Sequence, residues 1–137
     1  MKKLMAFVLT LSVGMGYWLL TSFADAAERH VPLIIGKWVP DSEEFIRQAR
    51  QKGTSPEQEG HMREYLARTR ITIRQNGSID FSFPDKNGVF AYKAIPSADG
   101  CIDMSISKVG KYHACVSGRQ MTLKDSATGA VESYIRI

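Results

Sequence analysis

Three side chains, Asp103, His113 and Cys115, form the strongest candidate group for chemistry in this 137-residue sequence. The stretches CIDMSIS and KYHACVS each alternate, which predicts two neighbouring strands with all three side chains on their polar faces. An imidazole between a thiol and a carboxylate is an arrangement that activates a cysteine nucleophile. Cys101 lies on the same polar side, however, and a disulfide between Cys101 and Cys115 would remove the thiol. We therefore expect no catalytic residue and a protein that is not an enzyme.

Motifs for other chemistries are missing from the sequence. His30, His61 and His113 are far apart and lack the spacing of metal ligands, so we expect no metal site and no cofactor. Glu43 and Glu44 are adjacent at a predicted helix start, where they favour the helix dipole but do not face one substrate together. The sequence contains no Gly-x-Ser-x-Gly and no glycine-rich phosphate loop.

Tyr134 and Arg136 are a second polar pair, on one face of the last predicted strand, VESYIRI. If this face points inward, the guanidinium and the phenol would anchor a carboxylate or a phosphate. If Ile135 and Ile137 point inward instead, both polar residues lie on the surface. The second arrangement is favoured, because arginine is rarely buried without a partner.

The N-terminal segment predicts export. Lys2 and Lys3 precede an uncharged apolar run at 4–24, and the triplet ADA ending at residue 26 has the small-x-small pattern of a cleavage site. We therefore interpret residues 1–26 as a signal peptide and expect a periplasmic or secreted protein. The alternative is a membrane anchor through residues 4–24, because the run is almost long enough to span a bilayer. Membrane contact is expected only through this segment, if it is not cleaved.

The remaining residues, 27–137, are sufficient for a single domain with one core. The net charge of the whole chain is +4 and its charges are scattered, so we expect no nucleic-acid partner. Two cysteines in an exported chain predict a disulfide, Cys101–Cys115. It would close a loop of about 15 residues and stabilise the fold by about 3 kcal/mol.

The pattern of apolar residues predicts a mainly β protein of the α+β type. A first strand at 33–39, LIIGKWV, is followed by two helices in an insertion at 42–68, which begin after the capping residues Asp41 and Ser55. From residue 69 onward the period is two. The sequence predicts eight strands in an antiparallel up-and-down meander. We expect this meander to close into a small barrel, because closure removes the exposed strand edges. An open curved sheet with the helices in its mouth fits the same pattern.

Keeping apolar residues on one face predicts how the strands pair. A turn at 75–77 pairs Ile73 with Ile79, and a two-residue turn at 118–119 pairs Val116 with Met121. A loop at 85–88 is expected to pair Phe81 with Tyr92. The predicted inward set is almost wholly apolar: Trp38, Ile71, Ile73, Ile79, Phe81, Phe83, Phe90, Tyr92, Ala94, Ile102, Met104, Ile106, Tyr112, Ala114, Val116, Met121 and Leu123.

The triplet Gly36-Lys37-Trp38 on a first strand, followed by two short helices and an antiparallel meander, resembles the calycin barrels: the lipocalins and the fatty-acid-binding proteins. This resemblance implies structural roles for Gly36 and Trp38, with Trp38 closing one end of the barrel under Arg136 or Arg119. This chain differs from the fatty-acid-binding proteins in two features. That family has ten strands, and its Arg-x-Tyr pair for the ligand carboxylate is reversed here as Tyr134-Ile135-Arg136.

These observations predict an exported, non-enzymatic, lipocalin-like binding protein that carries or scavenges a small apolar ligand such as a fatty acid or lipid. The alternative is a protein-interaction module of the cell envelope, an inhibitor or accessory subunit with a solid core and a protein partner. The expected ligand-binding residues come from the helices, the barrel interior and the last strand: Phe45, Met62, Leu66, Tyr92, Tyr112, Tyr134 and Arg136.

Overall fold

The computed structural model describes residues 31–137, which form a closed antiparallel barrel of eight strands. Each strand pairs with the next one in the chain, and β1 pairs with β8 to close the barrel. The predicted fold class is therefore confirmed. The elements in chain order are a 3-10 helix at Val31–Ile34, β1 Gly36–Pro40, α1 Ser42–Gln51, α2 Pro56–Ala67, β2 Arg70–Ile73, β3 Ser78–Ser82, β4 Asn87–Pro96, β5 Ile102–Ile106, β6 Gly110–Ser117, β7 Gln120–Asp125 and β8 Val131–Arg136.

The two ends of the barrel differ. The 3-10 helix packs near β4 and β6 at the end where β1 begins, which we call the closed end. The helices α1 and α2 contact β8 and β1 at the opposite end, which we call the helix end. Because the strands alternate in direction, the β2–β3, β4–β5 and β6–β7 turns lie at the closed end.

The first strand is shorter than predicted. Residues 31–34 form the 3-10 helix instead, and β1 starts at Gly36, whose φ is 144°. That backbone angle is easily adopted only by glycine, and it lets the chain turn into the barrel wall. Ile34 is then fully buried, and its carbonyl oxygen accepts a hydrogen bond from Trp38 Nε1 at 2.9 Å. The 3-10 helix therefore plugs this end of the barrel and is not part of the sheet.

The helical insertion at 42–68 is confirmed. Ser55 caps α2 as predicted, and together with Gln58 it forms a capping box at the start of this helix. At the start of α1, Asp41 Oδ1 accepts from the backbone N–H of Glu44. The Glu44 side chain does not complete a box, because it pairs with Arg47, whose guanidinium lowers the pKa of Glu44 to about 2.

Two of the three predicted hairpin registers are confirmed, since Ile73 is opposite Ile79 and Val116 is opposite Met121. The expected pairing of Phe81 with Tyr92 is wrong, because Phe81 is opposite Gly88. The turn comes earlier than expected, at 83–86, where Pro84 has no N–H to give to a strand ladder. The shift is an even number of residues, so the inward face of β4 is unchanged.

The barrel core agrees with the predicted inward set over most of its length. Its fully or nearly fully buried members include Trp38, Ile71, Ile73, Ile79, Ile102, Met104, Ile106, Ala114, Met121 and Leu123. Phe83 is the exception within that set, because it lies beyond the end of β3 and packs at the helix end.

The favoured orientation of the last strand is wrong. Tyr134 is only 6% exposed, whereas Ile135 and Ile137 are exposed. Tyr134 belongs to the core cluster, and Arg136 is half-buried against Trp38. The outward orientation of the arginine was wrongly preferred because Arg136 does have partners inside the fold, the buried Trp38 ring and two backbone carbonyls.

The predicted disulfide Cys101–Cys115 is present on the outer wall of the barrel. The predicted signal segment, residues 1–26, and the alternative anchor at 4–24 lie outside the described residues. Within residues 31–137, none of the helices has the length and apolar character needed to cross a membrane.

Candidate functional site

A pocket of about 320 Å³ opens at the helix end, between the helices and the barrel interior. We call it the barrel pocket. Its size is at the lower limit of typical small-molecule sites, which are about 300–1,000 Å³. Its lining comes from both helices, from the four strands β1, β3, β6 and β8, and from three connecting segments: Pro40, Phe45, Tyr65, Leu66, Thr69, Phe81, Phe83, Val109, Tyr112, Glu132 and Tyr134.

Aromatic side chains build most of the pocket wall. The ring of Phe45, on α1, meets Tyr134 edge to face, with 6.0 Å between ring centroids. Tyr65, on α2, stacks on Phe83 at 6.2 Å, and its hydroxyl donates to Asp85 at 3.1 Å. These contacts tie the two helices to the barrel rim, so the pocket has walls of both helix and sheet.

One polar pair lies in this aromatic wall. The hydroxyl of Tyr134 donates a hydrogen bond to Glu132 Oε2 at 2.6 Å. Burial, together with the negative charge of Glu132, raises the pKa of Tyr134 far above its usual value, so the phenol keeps its proton. Burial also raises the pKa of Tyr112, with smaller contributions from Glu132 and Asp125. Among the described residues, Glu132 provides the one carboxylate in the pocket lining.

Four of the seven predicted ligand-binding residues line the barrel pocket: Phe45, Leu66, Tyr112 and Tyr134. The structure does not bring the other three to this site. Met62 is half-buried on α2 but is not part of the lining. Tyr92 lies on β4, and its hydroxyl donates to the carbonyl oxygen of Arg74 in the β2–β3 turn, at the closed end.

Arg136, the third of these residues, lies at the closed end, where its contacts stabilise the fold. Its guanidinium lies over the Trp38 ring and donates to the carbonyl oxygens of Ile35 and Leu33. These contacts of the guanidinium hold the plug against the barrel, so it is not available to anchor a ligand at the helix end. The structural roles expected for Gly36 and Trp38 agree with this arrangement, with Arg136 rather than Arg119 above the ring.

Sequence reasoning missed Glu132 and Tyr65 as pocket residues. Glu132 could have been found from the alternation of β8, since it shares the inward face with Tyr134. Tyr65 is the neighbour of Leu66 on α2, but the position of that helix over the barrel rim depends on tertiary packing.

The group of Asp103, His113 and Cys115, considered for nucleophilic chemistry from the sequence, lies on the outer wall. His113 is directly opposite Asp103 in the β5–β6 ladder, as predicted. Its Nδ1 is 2.7 Å from Asp103 Oδ1, and its Nε2 is 2.8 Å from an oxygen of Asp99, in the β4–β5 turn. These two carboxylates raise the pKa of His113, Asp103 having the larger effect. Cys115 is in the disulfide and is not a nucleophile.

A larger surface groove, of about 440 Å³, runs over the same outer wall beside this group. Lys93, Ser105 and Lys111 lie in one row across three strands, and Ile95 and Asp103 lie in the next. The groove is open to water and bordered by charges of both signs. The barrel pocket is the better candidate for a small-molecule site, because converging aromatic rings and one partly buried polar pair line it.

Comparison of the chain with protein-family models, with curated proteins and with solved structures returned no match.

Proposed function

We propose that this protein is a non-enzymatic binding protein that holds a small amphiphilic molecule in the barrel pocket. The apolar part of the ligand packs among Phe45, Phe81 and Leu66, and its head group reaches the pair formed by Glu132 and Tyr134. The preferred head group is a neutral hydrogen-bond donor or an amine. A role as an exported carrier or scavenger follows from the predicted signal peptide and from the disulfide, which is typical of oxidising compartments.

The observation that carries this proposal is the Glu132–Tyr134 hydrogen bond inside an aromatic pocket. Glu132 uses one carboxylate oxygen for Tyr134, so the other is free to accept from a ligand. Among the described residues, the pocket lining contains no lysine or arginine. The carboxylate of a fatty acid would therefore meet a like charge without a counter-charge, which makes fatty acids the less suitable ligands.

The resemblance to the calycin barrels supports the same proposal at the level of architecture. Eight antiparallel strands close around a core, a plug with a tryptophan and an arginine covers one end, and the opposite end is open beneath two helices. The mouths of β-barrels are among the preferred places for small-molecule sites. The pocket described here is at the open end.

The test uses the neutral aromatic amine N-phenyl-1-naphthylamine as a fluorescent probe, with the full chain. We expect its emission to rise on binding, and dodecanol or dodecylamine to displace it more effectively than dodecanoate. Val109 lines the pocket and is 41% exposed, so V109W is expected to fill the mouth and abolish binding while the protein folds. The matched control is V89W, because Val89 is 68% exposed on the outer face of β4.

Loss of probe binding in both tryptophan variants, or in neither, would place the probe elsewhere and contradict the pocket. Stronger competition by dodecanoate than by dodecylamine would contradict the assignment of the head group. If the chain binds none of these molecules, the protein-interaction alternative becomes the better account. The exposed apolar side chains of Val89 and Ile95, on one outward face of β4, are the observation that favours it.

A further inference from the structure

The outer wall near the closed end brings four metal-ligating side chains together. Asp99, Cys101, His113 and Cys115 each offer one ligand atom, and these atoms all lie within 4.8 Å of one another. His113 and Cys115 are two residues apart on β6 and so share its outward face. The β4–β5 turn places Asp99 and Cys101 beside them, where Asp99 Oδ1 also accepts from the N–H of Cys101 at 3.0 Å.

The imidazole of His113 is already held as a metal ligand would be. Asp103 binds Nδ1, and a carboxylate on the second ring nitrogen is the usual support of a metal-bound histidine, because it fixes the ring and increases its basicity. Nε2 then points at Asp99 from 2.8 Å. Nitrogen and oxygen ligands on one tetrahedral zinc ion are about 3.3 Å apart. A small increase in the distance between Nε2 and the Asp99 oxygen therefore makes room for the ion.

The two sulfurs complete the set only when they are thiolates. Two sulfurs on one zinc ion are about 3.8 Å apart. The Cα atoms of Cys101 and Cys115 are 4.6 Å apart, so side-chain rotation alone brings reduced sulfurs to that spacing. Both cysteines are half-buried on the outer wall, where a reductant reaches them.

We propose that reduction of the Cys101–Cys115 disulfide converts this group into a four-ligand site for Zn²⁺ or a similar thiolate-binding divalent ion. A dithiol reductant transfers two electrons and two protons to the disulfide, which gives two thiols and an oxidised reductant. The ion then displaces the two thiol protons and binds Cys101, Cys115, His113 and Asp99. While the disulfide is intact, only His113 and Asp99 remain as ligands, so the redox state of the cysteines controls the affinity for the metal.

Titration with Co²⁺ tests this proposal, because its thiolate charge-transfer bands and its strong tetrahedral bands report the ligands directly. The full chain is titrated as the disulfide and after reduction by a phosphine, which competes weakly for the ion. We expect one equivalent to bind to the reduced chain, at least about 100-fold more tightly than to the oxidised chain. Zn²⁺ is expected to displace the bound Co²⁺.

Variants separate this site from two thiols acting alone. H113A and D99N are each expected to weaken binding to the reduced chain by at least about tenfold, and D103N by about tenfold with the thiolate bands retained. H61A is the matched control, because His61 is an exposed residue on α2, and it is expected to have no effect. Equal Co²⁺ affinity in both redox states, or no effect of H113A and D99N, would overturn the proposal.

Circular dichroism and tryptophan fluorescence accompany each titration, since the reduced chain without metal has lost a cross-link. If reduction unfolds the chain, one equivalent of Zn²⁺ is expected to restore the native spectrum. A reduced chain that stays unfolded with the metal present would also overturn the proposal.

Discussion

The guanidinium carbon of Arg136 lies 4.3 Å from the centroid of the Trp38 ring, and the two residues are direct partners in the ladder that closes the barrel. The same guanidinium donates to the carbonyl oxygens of Leu33 and Ile35. One side chain therefore joins the last strand, the first strand and the 3-10 helix. We therefore expect the stability of the closed end to depend on this junction.

Replacing Arg136 by alanine is expected to lower the free energy of unfolding by about 2 kcal/mol, because a cation–π contact and two hydrogen bonds to carbonyls are lost. R136K is expected to recover less than half of this loss, since an ammonium does not stack on the ring and bind both carbonyls together. Urea denaturation followed by tryptophan fluorescence measures both. The control is R68A, at an exposed position after α2, with a change within about 0.5 kcal/mol. Equal stability of R136A and R68A would show that the junction contributes nothing.

Replacing Gly36 by alanine is expected to destabilise the protein by about 1–3 kcal/mol. The added Cβ would lie 2.8 Å from Nη1 of Arg136, on a backbone whose φ of 144° is unfavourable for alanine. Thermal unfolding of G36A and of the parent chain measures this difference in stability. The matched substitution is G60A within α2, where a Cβ meets nothing within 4 Å, and it is expected to raise stability by up to about 1 kcal/mol. The prediction fails if both variants change stability in the same direction.

Replacing Glu132 by glutamine is expected to alter which molecules bind in the barrel pocket, if the proposed function holds. Without the negative charge, dodecanoate should bind about five- to tenfold more tightly and dodecylamine correspondingly more weakly, on the scale of a partly screened charge interaction. Displacement of the fluorescent amine measures both affinities. E57Q, at an exposed position on α2, is the control and should leave them unchanged. An unaltered preference in E132Q would show that Glu132 does not face the ligand head group.

Stability is expected to depend on pH through His113. Its pKa is raised in the folded state by Asp103 and Asp99, so the protonated form stabilises the fold. The stabilisation is complete below the unfolded-state pKa of about 6.5 and is lost as the pH rises through the folded-state pKa. Its size is about 0.5 kcal/mol, as for other partly exposed ion pairs. H113Q should remove this loss from urea denaturation measured between about pH 6 and pH 8. H61A is the control and is expected to keep the pH dependence of the parent chain. If H113Q also keeps it, His113 is not its source.

The alternation of apolar and polar residues was sufficient to predict the strands that form the wall of the barrel. In β3 and β4 the expected register was wrong, yet Phe90 and Tyr92 still face inward, because an even shift preserves the alternation. The two helices were equally clear from their capping residues. Such local signals need no knowledge of the rest of the chain, which is why they predicted the strands and the insertion.

What the sequence did not reveal depends on contacts between distant segments. The rarity of buried arginine favoured a surface position for Arg136, whereas the resemblance offered Arg136 or Arg119 as the cation over Trp38. The two carbonyls that Arg136 binds belong to the 3-10 helix and the residue after it, and the strand pattern did not predict that helix. Asp99 lies in a turn outside any periodic pattern, so its approach to His113 follows from the shape of the β4–β5 connection. Pocket formation likewise required the docking of Tyr65 onto Phe83.

The ladder between β1 and β8 also determines how the chain must fold. Seven of the eight ladders join neighbours in sequence, but the eighth joins elements from opposite ends of the domain. Until β8 is available, β1 and β7 each expose an unpaired edge that attracts other chains. The entropic cost of bringing such distant segments together slows folding, which places this barrel among slow β-rich folders rather than fast helical ones. A shortened chain that lacks β8, residues 131–137, is therefore expected to aggregate rather than to form a smaller barrel.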